Sequence, residues 1–198
     1  TVTVPEGMVR TGLRLTAVLA NGQAPTTIVP RVGANPITVV AIPVQIGSTV
    51  GQVASPFGSY LNARVPAKLT ALVRSPYVSS SVRTLPTTSD GWSAAFGSIL
   101  RELANLHNLE QAPDRTYYYG FIPKRTYGLA GLGYKPGNAA VGFDVPNNPT
   151  SAREVMTHEL GHNLSLPHAD CGGPSGPDPQ YPYPNAYLGG AGRYIWGY

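Results

Sequence analysis

The sequence has little charge and almost no cysteine. Only 12% of its 198 residues are charged, about half of ordinary usage. Its single cysteine, Cys171, cannot form a disulfide within this chain, so it is either a free thiol or the partner of a cysteine beyond Tyr198. The low charge, together with 23 glycines, 20 prolines and 12 tyrosines, indicates a loop-rich chain of the kind common among secreted proteins.

Basic clusters and long apolar runs are also missing. The net charge is +4, yet no run of basic residues is longer than two, as at Lys124-Arg125. This argues against a nucleic-acid partner and against a polybasic membrane anchor. No apolar run approaches the roughly 20 residues that span a bilayer, so no membrane span is expected. The chain has no signal peptide and does not begin with methionine, so we expect it to be a mature or excised part of a longer, secreted precursor.

The apolar pattern predicts strands and helices in mixed order. A near-continuous apolar run predicts a strand buried on both faces at 37–46, and further strands are predicted at 69–73, 117–122 and 139–143. Phe57 to Leu61 is predicted to form a short helix, and 75–88 a loop. A long helix capped by Ser89 or Asp90 is predicted from an apolar stripe, which consists of Trp92, Phe96, Ile99, Leu103 and Leu106. His107, late on this helix, is expected to be exposed.

Candidate catalytic groups are concentrated in residues 158–168. His158 and His162 are four residues apart, so on a helix they project from the same face, and Glu159 follows the first of them. His168 comes after a Ser-Leu-Pro stretch that should end the helix and turn the chain back. Three neutral imidazoles and a carboxylate are the groups of a catalytic zinc site with one open position. We therefore expect the histidines to bind Zn²⁺ and Glu159 to act as general base.

The helix that carries these residues has a predicted start and two predicted faces. Ser151 and Glu154 fit a capping box, with Pro149 just outside the helix. The residues expected to face the core are Met156, Leu160 and Leu164. Those expected to face a cleft are Val155, His158, His162 and Ser165.

The pattern His-Glu-x-x-His-x-x-Ser-x-x-His resembles that of the metzincin zinc peptidases. In that family glycine occupies the position of Ser165, and a methionine-containing turn follows later, whereas no methionine follows His168 here. The segment Trp196-Gly197-Tyr198 is similar to one that precedes this turn in secreted bacterial members of the StcE-like or reprolysin-like kind. Because glycine there often has φ > 0, Ser165 is expected either to accept roughly 1 kcal/mol of backbone strain or to alter the turn.

The resemblance and the apolar pattern together predict the fold and the domains. The fold class is α/β, of the α+β zincin type, with a mixed, mostly parallel twisted sheet, a backing helix and an active-site helix. Residues 1–35, with the turn signal Asn21-Gly22, are predicted to be an arm or the end of a preceding β-domain. Residues 36–198 are predicted to form a metzincin-like catalytic domain, in which 169–198 begin an incomplete C-terminal subdomain.

Other ligands for the metal are less favoured than His168. A related class of zinc peptidases takes its third ligand from a later glutamate, but no glutamate follows Glu159. Asp170 could also bind the ion, although it would need a different turn. Asp144, Asn147 and Asn148 could offer oxygens to a Ca²⁺ ion, but a plain turn is the preferred interpretation.

The resemblance implies a zinc endopeptidase that acts on proteins or glycoproteins. In the family the substrate lies antiparallel to an edge strand, and Gly131, Leu132 and Gly133 are the candidate substrate-binding residues, because small residues admit another backbone. A mobile loop is the alternative interpretation of this glycine-rich stretch. The alternative function is an extracellular binding module with an inactive or structural zinc site. The sequence does not indicate an oligomeric state.

Overall fold

The structure, a computed structural model, describes residues 12–21, 23–29, 36–65, 67–123, 128–168 and 175–179. The chain divides into two compact units, Thr1–Pro36 and Ile37–Tyr198. The predictions made for Asp170, for Cys171 and for most of the segment 169–198 lie outside the described residues.

The first unit contains a short β-hairpin. Its strands, β1 (Leu15–Ala17) and β2 (Thr26–Ile28), pair in antiparallel fashion. The hydroxyl groups of Thr16 and Thr27 hydrogen-bond across the pair at 2.9 Å. The side chains of both strands are exposed. The turn signal Asn21-Gly22 thus lies between two paired strands of three residues each.

The second unit contains every strand and helix that the apolar pattern predicts. In chain order its described elements are β3 (Ile37–Ile46), β4 (Thr49–Val50), α1 (Phe57–Asn62), β5 (Leu69–Val73), β6 (Tyr77–Val78), α2 (Ser89–Leu109), β7 (Thr116–Ile122), β8 (Gly131–Gly133), β9 (Ala139–Phe143) and α3 (Pro149–Asn163). The predicted loop at 75–88 contains β6. None of the helices in the described ranges combines the length and hydrophobicity that crossing a membrane requires.

The strands of this unit form one mixed sheet. Its main order is β4-β3-β7-β9-β8, and β5 and β6 also pair with β3. The pairs β3–β5, β3–β6, β3–β7 and β7–β9 are parallel, whereas β3–β4 and β8–β9 are antiparallel. The prediction of a mixed, mostly parallel sheet is confirmed. β8 ends the main path, so it lies at an edge of the sheet.

Helices cover both faces of the sheet. On β3, Val40 and Ile42 belong to the apolar cluster that includes Phe96 of α2, whereas Ile37 and Val39 belong to a second cluster with residues of α1 and α3. Successive strand residues point to opposite faces. A strand covered on both sides is therefore apolar at nearly every position, as the run of β3 indicates.

α2 begins at a different cap from the one predicted. Thr88 is the N-cap, and its hydroxyl accepts a hydrogen bond from the backbone N–H of Gly91 at 3.1 Å. Ser89 and Asp90 lie in the first turn instead. The predicted apolar stripe is confirmed, since its first four members are buried and Leu106 packs against the same cluster.

His107 is buried, so the prediction that it is exposed is wrong. Its Nδ1 accepts a hydrogen bond from the side-chain amide of Asn138 at 2.9 Å, which leaves a proton on Nε2 for the carbonyl oxygen of Thr116 at 3.0 Å. The ring is only 7% exposed. Both nitrogens are thus satisfied inside the protein, and the side chain joins α2 to β7 and to the segment that leads into β9.

α3 also begins earlier than predicted. Its N-cap is Asn148, whose side-chain oxygen accepts from the N–H of Ser151 at 3.2 Å, and Pro149 is the first residue of the helix. The predicted capping box at Ser151 is wrong, because Asn148 already supplies the acceptor and proline suits the first helical position. Asp144 Oδ2 accepts from the N–H of Gln52 at 3.0 Å. A calcium site at these residues stays a prediction.

Candidate metal centre

Three histidine side chains converge beside the C-terminal half of α3. His162 Nε2 lies 3.0 Å from His158 Nε2 and 3.1 Å from His168 Nε2. The candidate ligand atoms of all three residues lie within 4.8 Å of one another. A tetrahedral zinc ion, with Zn–N bonds near 2.0–2.1 Å, holds its nitrogens about 3.3–3.4 Å apart. The spacing therefore suits three ligands of one shared ion.

The hydrogen bonds of the rings orient their nitrogen lone pairs toward that ion. His162 Nδ1 donates to the carbonyl oxygen of Leu166 at 2.8 Å, and His168 Nδ1 donates to that of Ser175 at 3.0 Å. The proton on Nδ1 leaves Nε2 with a free lone pair. Two such lone pairs facing each other at 3.1 Å repel unless a cation lies between them. The donor set therefore fits a divalent metal ion such as zinc.

The protein environment favours the neutral form of two of these imidazoles. Burial, and then the charges of His162 and His168, lower the pKa of His158 to about 4. Burial also lowers the pKa of His162. Because a metal competes with protons for the same nitrogen, a lowered pKa leaves the ligand atoms available at neutral pH.

The turn after α3 brings His168 back toward the helix. The N–H of Ser165 donates to the carbonyl of His162 at 2.9 Å, and the N–H of Leu166 donates to that of Gly161 at 2.9 Å. These two bonds form a Schellman motif, whose C′ residue adopts the left-handed conformation. Ser165 occupies that position with φ 75°. The strained serine is thus an observed feature of the turn.

His168 is also held by residues that the sequence pattern does not mark. The N–H of Asp178 donates to the carbonyl of His168 at 2.7 Å, and Pro177 forms an isolated β-bridge with His168. With the bond to Ser175, the segment 175–179 fixes both the backbone and the ring of this candidate ligand. These contacts involve backbone atoms, so no residue type in the sequence signals them.

Asn163, at the end of α3, is a second positioning residue that sequence reasoning missed. Its buried side-chain nitrogen donates to the carbonyl oxygens of Tyr134 and Ala139, both at 2.9 Å. The N–H of Gly137 donates to its backbone carbonyl at 3.3 Å. Asn163 therefore ties the histidine-bearing helix to the β8–β9 hairpin.

Glu159 lies in the same cleft, beneath β8. It is 5% exposed, and burial raises its pKa to about 8. A Cβ added at Gly131 would lie 2.6 Å from Glu159 Oε1, and one added at Gly133 would lie 3.1 Å from Oε2. The two glycines therefore provide room for the carboxylate. Leu132 points to the opposite face, where it packs with the cluster that includes α2.

Within the part of the chain that the structure describes, β8 pairs only with β9, and its other edge borders the cleft. The N–H of Phe143 donates to the carbonyl of Ala130, and the N–H of Tyr134 donates to that of Ala139. Bonding residues alternate along an antiparallel pair, so the N–H and C=O groups of Gly131 and Gly133 point away from β9. The cleft, of about 780 Å³, lies between residues 129–135 and the face of α3.

Comparisons with known proteins give weak structural likenesses. No family model matches the sequence, and no curated protein matches it. Among solved structures, the chain is similar to archaemetzincin from Methanopyrus kandleri, with a TM-score of 0.42 and 17% sequence identity, over 73% of this chain and 82% of that chain. A likeness at this level does not identify a function.

Proposed function

We propose that this protein is a zinc-dependent endopeptidase of the metzincin type. The observation that carries the proposal is the convergence of three imidazoles, from His158, His162 and His168, beside the carboxylate of Glu159 in an open cleft. Structural zinc sites are closed by four protein ligands, whereas catalytic sites have three and leave one position open. A purely structural ion would also have no use for Glu159.

The role proposed for Glu159 is to move protons in peptide hydrolysis. A zinc ion held by the histidines would lower the pKa of a water molecule toward about 7 and polarise the scissile carbonyl. Glu159 accepts the proton of the attacking water and then delivers it to the leaving amine. Burial raises the pKa of this carboxyl to about 8, and a nearby cation acts in the opposite direction. The group can therefore take up and release a proton near neutral pH.

The substrate is proposed to lie along β8. An extended peptide running antiparallel to this strand can hydrogen-bond with the outward N–H and C=O groups of Gly131 and Gly133. Because Glu159 lies directly beneath these glycines, such a peptide would cross the cleft close to the general base. Leu132 contributes its backbone to this strand, while its side chain supports the opposite face.

An extracellular location and protein or glycoprotein substrates are also part of the proposal. They are supported by the low charged fraction of the sequence, 12%, and by the resemblance of the segment 196–198 to one in secreted bacterial metzincins. Membership of the StcE-like or reprolysin-like branch stays a prediction, because the segment 196–198 on which it rests lies outside the described residues.

Metal analysis combined with proteolysis tests the proposal. We expect about one zinc ion per chain both in wild-type protein and in Glu159→Gln, because Glu159 is not a ligand. Wild type should cleave casein or a mucin-type glycoprotein, and activity should fall by at least about 100-fold in Glu159→Gln. A chelator should abolish cleavage and added zinc restore it. Equal cleavage under all these conditions would remove the proposal, and zinc binding without any cleavage by wild type would favour the binding module.

A further inference from the structure

The cleft has two chemically different ends because α3 and β8 run in the same direction. Gly131, at the start of β8, lies over Val155 and Glu159. Tyr134, just after β8, accepts a hydrogen bond from Asn163 at the end of α3. One end of the cleft therefore lies beside the first turns of α3, and the other beside the metal ligands.

The end near the start of α3 combines an acidic group with apolar walls. Glu154 and Ser151 line it from the helix, and Val155, Leu129 and Ala130 add aliphatic surface. The opposite end is lined by basic and imidazole side chains, including that of Lys135. The electrostatic character of the cleft thus changes sign along its length.

The charge of Glu154 is available to a ligand. Within the described residues no basic side chain forms an ion pair with it. Its neighbour in sequence, Arg153, is directed elsewhere, with bonds to the carbonyl oxygen of Ser55 at 3.4 Å and to Thr150 Oγ1 at 2.9 Å. An unpaired carboxylate beside aliphatic walls complements a side chain with a long apolar stem and a cationic head.

We propose that Glu154 determines substrate specificity by selecting arginine or lysine at the residue that immediately follows the cleaved bond. This inference rests on the proposed peptidase function and on a substrate antiparallel to β8. Such a peptide enters at the Lys135 end, passes Glu159 and leaves at the Glu154 end, so the residue after the cleaved bond meets Glu154. Its methylene groups contact Val155 and Leu129, and its charge pairs with the carboxylate.

A peptide series tests the inference. The peptides share one sequence and differ only after the cleaved bond, where they carry arginine, norleucine or glutamate, and mass spectrometry identifies the bond. We expect kcat/KM for arginine to exceed that for norleucine about tenfold, with glutamate poorest. The preference should disappear in Glu154→Gln and reverse between arginine and glutamate in Glu154→Lys. Asp114→Asn removes the same charge from an exposed residue outside the cleft and should keep the wild-type order.

Binding supplies a second measurement that does not require turnover. Calorimetry of the zinc-loaded Glu159→Gln protein should show about tenfold tighter binding of the arginine peptide than of the norleucine peptide. When Glu154→Gln is added to this protein, the arginine and norleucine peptides should bind with equal affinity. Cleavage by wild type without a preference for arginine would overturn this inference and leave the peptidase function intact. Absence of both cleavage and binding would overturn the two together.

Discussion

Gly131 lies so close to the side chain of Glu159 that no room is left between them for a methyl group. A Cβ at Gly131 would lie 2.6 Å from Glu159 Oε1, 2.8 Å from its Cγ and 2.6 Å from Val155 Cγ1. The end of the glutamate side chain is flexible, so it can move away from such a group. Substitution here should therefore displace the proposed general base more than it disturbs the fold.

We expect Gly131→Ala to lower kcat about 10- to 100-fold, since displacing a catalytic group by about 1 Å can cost this much. The free energy of unfolding should change by only about 1 kcal/mol. Gly97→Ala is the matched control, because nothing lies within 4 Å of its added Cβ. That substitution lies inside α2, so it should stabilise the protein by about 0.5–1 kcal/mol without affecting activity. Full activity in Gly131→Ala would contradict the described packing.

Zinc removal should destabilise the folded protein, because a ligand that binds only the native state stabilises it by mass action. At a free zinc concentration 1,000 times the Kd the effect is about 4 kcal/mol. Differential scanning calorimetry should show Tm falling on chelation and recovering with zinc. His168→Ala should lose most of this response, while Glu159→Gln should retain it. A Tm that is the same with and without zinc would show that the three rings do not share an ion.

Ser165→Gly should stabilise the protein. The left-handed conformation of Ser165, with φ 75°, costs a residue with a Cβ about 1–2 kcal/mol. Glycine avoids this cost but loses more conformational entropy on folding, so we expect a net gain of about 0.5–1 kcal/mol. Ser165→Ala keeps the strain and should stay close to wild type. Urea unfolding measures the stability of wild type and of both variants. A glycine variant less stable than wild type would refute the expectation.

Glu102 should make stability depend on pH. Burial acts to raise the pKa of this carboxyl, but hydrogen bonds from Ser80 and Ser81, to Oε1 at 2.8 and 2.6 Å, outweigh it, and the pKa is lowered from its ordinary value of 4.5. A lowered folded pKa means that the carboxylate stabilises the fold above pH 4.5 and that this contribution is lost as the pH falls through the folded value.

Glu102→Gln should therefore cost about 1–3 kcal/mol at pH 7, because charged hydrogen bonds are lost in a buried setting. The difference between the unfolding free energies of this variant and of wild type should shrink as the pH falls below about 4.5. Asp114→Asn, at an exposed turn residue, should differ little from wild type in unfolding free energy over the whole pH range. Denaturant unfolding between pH 3 and 7 checks this, and a difference that does not depend on pH would contradict it.

The strands and the histidine cluster were predictable because their signals are local. β3 was predicted to the residue, since an apolar run from Ile37 to Ile46 reports burial on both faces. The helical spacing of His158 and His162 likewise determines that they share a face. Neither inference requires knowledge of a distant part of the chain.

Helix starts were less predictable because several neighbouring residues have side chains that can accept the capping hydrogen bond. Thr88, Ser89 and Asp90 can each cap α2, and the backbone conformation decides between them. At α3, Asn148 precedes a proline, which is itself a first-turn signal, but the Ser151–Glu154 spacing imitates a capping box.

The partners of buried polar residues could not be predicted from periodicity. His107 follows the fourth member of the apolar stripe of α2 by four residues and so shares the face of that stripe, but its partner Asn138 is 31 residues away. Glu102 is buried by a loop about 20 residues earlier in the chain. The support of His168 by Ser175 similarly depends on a carbonyl oxygen rather than on a residue type.

The unpaired edge of β8 within the described sheet would restrict what the proposed peptidase can cut. A strand can be added there only by a segment whose own amide groups are not already engaged in a helix or a sheet. Well-folded globular domains would therefore resist attack until they open locally, whereas linkers and stalks without regular structure would be cut directly. Selection would then depend first on the conformational freedom of the target and only afterwards on its side chains.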